Sequence, residues 1–226
     1  MVNRPLSKGD LMHPIILVRH GQAESNIANL TGGWSQTALT ELGRRQARLV
    51  ARRLKAELEG VECISIHSDL LRAVQTAEIV AEETGLEMIP EPGLREFNNG
   101  IAAGRTKEEA EAFFTEPTRP LLDWRPYPGG ETWREYYLRV AGCMERITRG
   151  LDRPLLIVAH GGTVVNAVAW WLRIPLEALS DISFITSNTG ITILMETGLG
   201  ERAIERHNDV HHLHAQGIGP HFPLRP

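Results

Sequence analysis

Short continuous apolar runs alternate with longer segments of helical periodicity along the 226 residues of the chain. The clearest runs, at 14–18 and 154–159, do not alternate with polar residues, which is typical of strands that are covered on both faces. Seven strands are predicted, at 14–18, 61–66, 86–90, 154–159, 182–186, 190–196 and 201–206. Asn188 and Gly190 predict a tight turn between the fifth and sixth of these strands.

The segments between the strands carry apolar residues at the spacing of amphipathic helices. The hydroxyls of Thr40 and Ser68 can accept free N–H groups of a first helical turn, so both residues are predicted N-caps. Gly60 and Gly85 are predicted to end the two helices that follow these caps. Helices are predicted at 40–59, 68–84, 106–115, 131–149 and 161–171.

This alternation predicts an α/β fold, a three-layer α/β/α sandwich with a mostly parallel central sheet. A chain of this length can form one core, and we expect a single domain at 14–214 with tails at 1–13 and 215–226. In such sheets ligands bind at the carboxyl ends of the strands. The residues that follow the apolar runs are therefore the first candidates for a functional site.

Composition and charge exclude several classes of function. The 24 basic and 28 acidic residues give a formal net charge of -4, so no general affinity for nucleic acid or anionic membranes is expected. No stretch of 18 uncharged apolar residues occurs, which argues against a membrane span. The two cysteines, Cys63 and Cys143, suit a reducing compartment better than a disulfide framework, and we expect a cytoplasmic protein.

Two apolar runs end in the same dipeptide. Arg19-His20-Gly21 follows the first run, and His160-Gly161 follows the run at 154–159. A glycine lets the backbone approach a ligand closely, and an arginine offers a planar fork for phosphate oxygens. One strand-end histidine alone is more often structural, but two such ends at one sheet edge indicate an anion site.

Arg72 and Thr76 are four residues apart, so they share one face of the predicted helix at 68–84. Arg72 lies in the first turn, beside the positive end of the helix dipole, and could contribute to the same anion site. A solvated arginine at a helix start is the alternative, and the residues alone leave it open.

An ordered set of motifs along the chain resembles a known family. The set is Arg19-His20-Gly21 with Asn26, the segment Ser68 to Ala77 (SDLLRAVQTA), Leu94-Arg95-Glu96, Gly129-Gly130-Glu131 and Ala159-His160-Gly161. Over residues 14–213 the chain is similar to the phosphoglycerate mutase-like branch of the histidine phosphatase superfamily. Each motif is weak by itself, whereas the order of all five is specific.

The resemblance implies a role for each matching residue. His20 would be the nucleophile that becomes phosphohistidine, and Glu96 would protonate the leaving oxygen. Arg19, Asn26, Arg72 and His160 would hold the phosphoryl oxygens, with His160 as a cationic member of the catalytic set. The backbone of Gly161 would approach the same group. The family implies neither a metal nor an organic cofactor.

Glu96 has two rivals for the acid role, because Glu24 and Glu131 also lie near the motifs. Glu131 follows two glycines and could instead cap the helix that begins there. Aromatic residues could line the pocket, although packing in the core or on the surface is the more common role for such residues. These candidates are Trp34, Trp124, Trp133 and Tyr127.

The expected activity is hydrolysis of a small phosphomonoester through a phosphohistidine on His20. Ala23 and the segment 97–104 depart from the family pattern, and Gly162 stands where mutases usually carry Asn. A phosphoglycerate mutase-type phosphotransferase and a phospho-ligand binder without turnover are the alternatives. The expected partner is the small-molecule ester, and the oligomeric state is open, with a homodimer as one option.

A metal-binding protein is a rival from another class. Four histidines near the carboxyl terminus could provide imidazole ligands, at positions His207, His211, His212 and His214. No cysteine accompanies them, and a surface cluster is the simpler interpretation.

Overall fold

Six strands form one mixed sheet in the order β3-β2-β4-β1-β5-β6 in the computed structural model, which describes residues 11–220. The strands are β1 (Ile15–Arg19), β2 (Ile64–His67), β3 (Ile89–Pro90), β4 (Leu155–Ala159), β5 (Ile191–Glu196) and β6 (Arg202–Asp209). β4 is parallel to β1 and β2, and β2 is parallel to β3. Only β5 is antiparallel to its two neighbours, so the sheet is mostly parallel as predicted.

Helices cover both faces of this sheet. They are α1 (Glu24–Ile27), α2 (Glu41–Glu57), α3 (Leu71–Thr84), α4 (Lys107–Glu111), α5 (Trp133–Ile147), α6 (Gly161–Trp171) and α7 (His211–His214). Short 3-10 turns at 92–94, 100–102, 121–123 and 176–180 complete the connections. The predicted three-layer α/β/α sandwich is confirmed.

Side chains of β1 point alternately into two separate cores. Ile15 and Leu17 lie in the core formed with α5 and α6. Ile16 and Val18 lie in the core formed with α2 and α3. Because both faces are covered, each apolar position of the strand is buried, which explains why the apolar run does not alternate.

The predicted signals are confirmed at the start of α2 and at the end of α3, whereas α2 ends at Glu57 with Leu58 as its C-cap, two residues before Gly60. The hydroxyl of Thr40 accepts a hydrogen bond from the backbone N–H of Gly43 at 3.0 Å. Gly85 ends α3 with φ of 76°, a left-handed conformation that glycine adopts without steric cost. Ser68, in contrast, is not the cap of α3, because the N-cap position is occupied by Leu70.

The predicted strand at 182–186 is wrong. Both edges of β5 are paired, with β1 and β6, so this segment cannot pair with the strand that follows it in sequence. It runs as an irregular loop in which Ile185 is 69% exposed. The predicted turn exists, since the N–H of Gly190 donates to the carbonyl of Ser187 at 2.9 Å, but it joins this loop to β5.

The segment after β1 passes very close to the start of α2. A Cβ atom added to Gly43 would collide with the backbone carbonyl of Gln22, and one added to Gly21 would collide with the carbonyl of Gly43. The two backbones can approach only because both residues lack side chains. This contact holds the residues after β1 against α2.

No helix in the part of the chain from 11 to 220 is long and apolar enough to cross a bilayer. The predicted tails at 1–13 and 215–226 lie largely outside the described residues, apart from 11–13 and 215–220.

Replacement of Gly43 by alanine tests the close approach. Although alanine favours helices, Gly43→Ala should lower the free energy of unfolding by about 1–3 kcal/mol because backbone atoms must move apart. Gly142 is the matched control, since it also lies within a helix but a Cβ there meets nothing within 4 Å. Gly142→Ala should raise stability by roughly 0.5–1 kcal/mol. Equal effects in urea unfolding of the two variants would contradict the steric argument.

Candidate active site

The two His-Gly ends lie side by side at the carboxyl edge of the sheet. Arg19 and Ala159 are register partners in the parallel strands β1 and β4, so the next residue of each strand reaches the same level. The rings of His20 and His160 are 5.1 Å apart between centroids, at an angle of 62°. Both histidines are buried.

The hydrogen bonds of His20 determine which ring nitrogen is free to act. Its Nδ1 lies 2.6 Å from the carbonyl oxygen of Gly21, which can only accept, so Nδ1 carries the hydrogen. Its Nε2 lies 3.2 Å from Nε of Arg72, which can only donate. Nε2 therefore holds its lone pair toward a guanidinium group, the arrangement that a nucleophilic imidazole requires.

Arg19 and Arg72 bring permanent positive charge to the two histidines. Arg72 is 3% exposed, and its terminal nitrogens donate to the carbonyls of Ser35 at 2.9 Å and Gly33 at 2.8 Å. Arg19 donates from Nη1 to the carbonyl of Thr186 at 2.6 Å. The alternative of a solvated Arg72 is thus wrong, because α3 directs this side chain into the site.

Two buried polar atoms beside His20 have no hydrogen-bond partner among the described residues, Nε of Arg19 and Nδ1 of His160. Buried polar groups normally have a partner, and unpaired ones in a cleft indicate a ligand. With two guanidinium groups at the same place, that ligand is expected to be an anion such as a phosphoryl group.

Burial and the neighbouring arginines keep both histidines neutral. Burial is the main reason why the pKa of His20 lies well below 6.5, and the charges of Arg72 and Arg19 lower it further. Burial also lowers the pKa of His160 well below 6.5, with further contributions from Arg72 and His20. The prediction of a cationic His160 is therefore wrong for the protein without an anion, where the two arginines supply the positive charge. A bound dianion would favour protonation of His160.

Glu96 is fixed by three hydrogen bonds at the opposite side of the site. Its Oε1 accepts from the hydroxyl of Tyr136 at 2.5 Å and from the N–H of Phe97 at 2.9 Å. Its Oε2 accepts from the N–H of Gly162, in the first turn of α6, at 3.1 Å. The carboxyl group thus lies at the same helix end that follows His160.

Gly162 leaves room for this carboxyl group. A Cβ atom at position 162 would lie 2.5 Å from Oε1 of Glu96 and 2.8 Å from the hydroxyl of Tyr136. At Gly161 the added atom would lie 3.0 Å from the hydroxyl of Thr186 and 3.5 Å from Nε of Arg19. Both glycines therefore allow the backbone of α6 to approach side chains of the site.

The rivals of Glu96 lie elsewhere. Glu131 is bound to Arg139 at 2.7 Å and accepts from the N–H of Asn98, so its role is to brace the loop after Glu96. Glu24 is exposed in the first turn of α1. Asn26 is also exposed, and its side-chain oxygen accepts from the N–H of Ala23 at 2.9 Å. No hydrogen bond in the described structure links Asn26 to the histidines or arginines.

Several residues of the site were not predicted. The hydroxyl of Ser68 lies 2.7 Å from Nε2 of His160. Ser68 directly follows β2 and lies two residues before Leu70, the N-cap of α3, so it does not cap that helix. Thr76 shares one face of α3 with Arg72, and its hydroxyl accepts from the N–H of Gly21 at 3.2 Å. Tyr136 occupies an apolar position of α5, so nothing in the pattern separates it from a core residue.

The candidate aromatic residues divide into three groups. Trp34 donates from Nε1 to the carbonyl of Glu96 at 2.7 Å, which holds the backbone of that residue. Trp133 lines a cavity beside Glu96. Trp124 and Tyr127 pack instead on Phe114.

The histidines near the carboxyl terminus do not converge. His207 lies near the hydroxyl of Thr192, and His212 lies near that of Thr189. Residues 11–220 contain no group of three or more histidine, cysteine or acidic side chains placed to hold a metal ion. The geometry therefore gives no support to the metal-binding alternative.

Known proteins are similar to this chain in sequence and fold. The histidine phosphatase superfamily (branch 1) matches residues 15–210. A probable phosphoglycerate mutase GpmB of Photorhabdus laumondii is 39% identical over 173 residues, 74% of this chain and 78% of the relative. A 2,3-bisphosphoglycerate-dependent phosphoglycerate mutase of Methylobacterium radiotolerans is 37% identical, over 66% of this chain and 74% of the relative.

A solved structure extends the comparison to a phosphatase. The mycobacterial glucosyl-3-phosphoglycerate phosphatase matches with a TM-score of 0.71 at 27% identity. The match covers 87% of this chain and 98% of that protein. Relatives of the chain thus include proteins named as mutases and proteins named as phosphatases.

The lowered pKa values of His20 and His160 predict how stability depends on pH. Below the ordinary pKa of 6.5 the unfolded chain binds protons that the folded protein does not, so stability falls as pH drops below that value. Each histidine should contribute up to about 1.4 kcal/mol per pH unit to this loss. In urea unfolding from pH 7.5 to 5.5, His160→Gln should show a smaller loss than the wild type. Parallel curves for the two proteins would contradict the prediction.

Proposed function

The chain belongs to the histidine phosphatase superfamily, and we propose that it is a phosphomonoester hydrolase that acts on small phosphorylated molecules without a metal ion. The observation that carries this proposal is the orientation of His20. Its Nδ1–H donates to Gly21, and its Nε2 lone pair lies beside Arg72 in a buried cluster of positive charge. This arrangement supports nucleophilic attack on a phosphoryl group.

In the first step, Nε2 of His20 attacks phosphorus and the bond from phosphorus to the ester oxygen breaks. The Nε–H of Arg72 donates its hydrogen bond to a phosphoryl oxygen instead of to His20. The Nε–H of Arg19, which has no partner among the described residues, donates to another phosphoryl oxygen. Glu96 gives a proton to the leaving oxygen. Phosphoryl transfer depends mainly on positioning and on charge stabilisation at the equatorial oxygens, which two arginines supply.

In the second step, water attacks the phosphohistidine. Glu96, now a carboxylate, takes a proton from the water, and phosphate leaves as Nε2 of His20 regains its lone pair. Tyr136 keeps the carboxylate in place, since burial and the charge of Glu96 raise the pKa of this tyrosine well above 10 and keep its hydroxyl protonated. Glu96 therefore serves as acid and then as base without changing position.

The glycine at position 162 favours a hydrolase over a phosphoglycerate mutase. Mutases of the family usually carry Asn at this position, and a side chain there would collide with Glu96 and Tyr136. Glu96, the proposed acid, thus occupies the space that a side chain at position 162 would need.

A phosphoglycerate mutase activity is the second candidate, because two relatives are named as phosphoglycerate mutases. Incubation with 3-phosphoglycerate, with and without 2,3-bisphosphoglycerate, separates the two activities. Isomerisation faster than phosphate release would replace our proposal by the mutase.

Replacement of the nucleophile tests the proposed hydrolysis. Wild type should release phosphate from a panel of phosphomonoesters in the presence of EDTA, and acid-labile phosphoenzyme should be trapped on His20. His20→Ala should release phosphate only at the background rate. The mechanism would be refuted if His20→Ala kept most of the activity. Loss of wild-type activity on addition of EDTA would refute the proposal that no metal ion is required.

Replacement of the acid tests the role of Glu96. Glu96→Gln keeps the shape of the side chain but cannot transfer a proton, so kcat should fall by roughly 10²–10⁴-fold. Glu24→Gln is the matched control, because Glu24 is exposed in α1, and it should retain wild-type kcat. A larger loss in the control than in Glu96→Gln would move the acid role to Glu24.

A further inference from the structure

A cavity of about 410 Å³ lies next to residues that hold the carboxyl group of Glu96. This volume lies within the roughly 300–1,000 Å³ that is typical of small-molecule sites. Tyr136 and Gly162, which both donate to the carboxyl group of Glu96, are also part of the cavity wall. The cavity therefore begins where the leaving oxygen must accept its proton.

The wall of this cavity is built mainly from apolar side chains. Trp133, at the start of α5, stacks on Phe97 with ring centroids 4.4 Å apart, and Phe97 packs against Tyr136 at 5.6 Å. The segment after Glu96, which departs from the family pattern, thus supplies the support for Trp133. Leu122 and Leu179 line the cavity from two 3-10 turns.

One face of α6 forms the remaining side. Gly162, Val165 and Asn166 are three and four residues apart, so they share this face, and all three line the cavity. The amide of Asn166 and the hydroxyls of Ser180 and Ser183 are polar but uncharged. They can orient a ligand, but they cannot neutralise a charge on it.

No charged side chain belongs to the cavity wall within residues 11–220. Arg95 pairs with Asp69 at 2.5 Å, and Arg139 pairs with Glu131 at 2.7 Å and donates to the backbone carbonyl of Glu96 at 3.1 Å. Arg134 pairs with Asp123 at 2.6 Å. A carboxylate placed in this cavity would lose water without gaining a cation, which is costly.

We propose that the alcohol portion of the substrate is largely apolar and uncharged and occupies this cavity, so that phosphoglycerates are poor substrates. The inference rests on the proposed function, because it takes Glu96 as the group that protonates the leaving oxygen. It narrows the substrate class to phosphomonoesters of alkyl or aromatic alcohols.

Binding of n-alkylphosphonates tests the cavity without turnover. In calorimetric titrations from methyl- to hexylphosphonate, Kd should fall about fourfold for each methylene that enters the cavity. The charged probe 3-phosphonopropionate should bind at least tenfold more weakly than 3-methylbutylphosphonate, which has a similar size. A Kd that is independent of chain length, or tighter binding of the carboxylate, would overturn the proposal.

Variants locate the effect in this cavity. Leu179→Ser should reduce the gain in phosphonate affinity per methylene, and Leu179→Met should restore that gain. Leu199→Ser is the matched control, since Leu199 is 63% exposed in the turn after β5, and it should behave as the wild type. Val165→Thr, which exchanges a methyl for a hydroxyl at similar volume, gives a second variant if Leu179→Ser lowers the melting temperature. Unchanged chain-length dependence in both cavity variants would overturn the assignment.

Ester kinetics separate failure of this inference from failure of the proposed function. Wild type should show a kcat/KM that rises from ethyl to hexyl phosphate and exceeds the value for 3-phosphoglycerate. Phosphate release that is fastest from 3-phosphoglycerate would overturn the apolar substrate but leave hydrolysis intact. Release from no ester would refute hydrolysis, and the phosphonate series would still decide what the cavity binds.

Discussion

Buried positive charge at the carboxyl ends of β1 and β4 is the constraint on which the site depends. Removing a guanidinium from water costs several kcal/mol unless its donors are satisfied. Carbonyls of the loop at 33–35 satisfy Arg72, and the carbonyl of Thr186 satisfies part of Arg19. The irregular segments around the sheet must therefore be in place before the charge can be buried. Burial of His20, together with the charge of Arg72 and Arg19, lowers the pKa of this histidine and keeps it neutral.

The proposed nucleophile, His20, and the proposed acid, Glu96, are held by opposite layers of the sandwich. Thr76 and Arg72 of α3 contact the residues after β1, and the glycine contact with α2 fixes them from the same layer. Tyr136 of α5 and Gly162 of α6 hold Glu96 from the other layer. The two groups meet only at the edge of the sheet that the layers share. Each layer has its own core, and the sheet lies between the two cores.

Much of this arrangement could be predicted from sequence, because its main signals are local. Unbroken apolar runs followed by His-Gly place two histidines at one sheet edge. Thr40 marks the start of a helix by its side-chain hydroxyl, and Gly85 marks the end of one by its left-handed backbone. The expectation of a strand at 182–186 was wrong because strand pairing depends on which strands are neighbours in the sheet, and β5 is paired on both sides by β1 and β6. Tyr136 and the pairing of Ser68 with His160 depend on contacts between distant segments, and no local pattern encodes them.

The phosphoryl and alcohol halves of the site are built from different parts of the chain. The motifs shared with the superfamily supply His20, Arg72 and Glu96, whereas the cavity wall comes from the segments at 121–122 and 179–183, from α5 and from one face of α6. A relative that is 39% identical can therefore share the phosphoryl chemistry without sharing the alcohol. Each methylene in such a pocket discriminates by only about 1–3 kcal/mol, whereas an unpaired carboxylate is rejected more strongly. Under our proposal, the uncharged wall formed by residues 11–220 therefore selects among substrates more strongly than the shape of the cavity does.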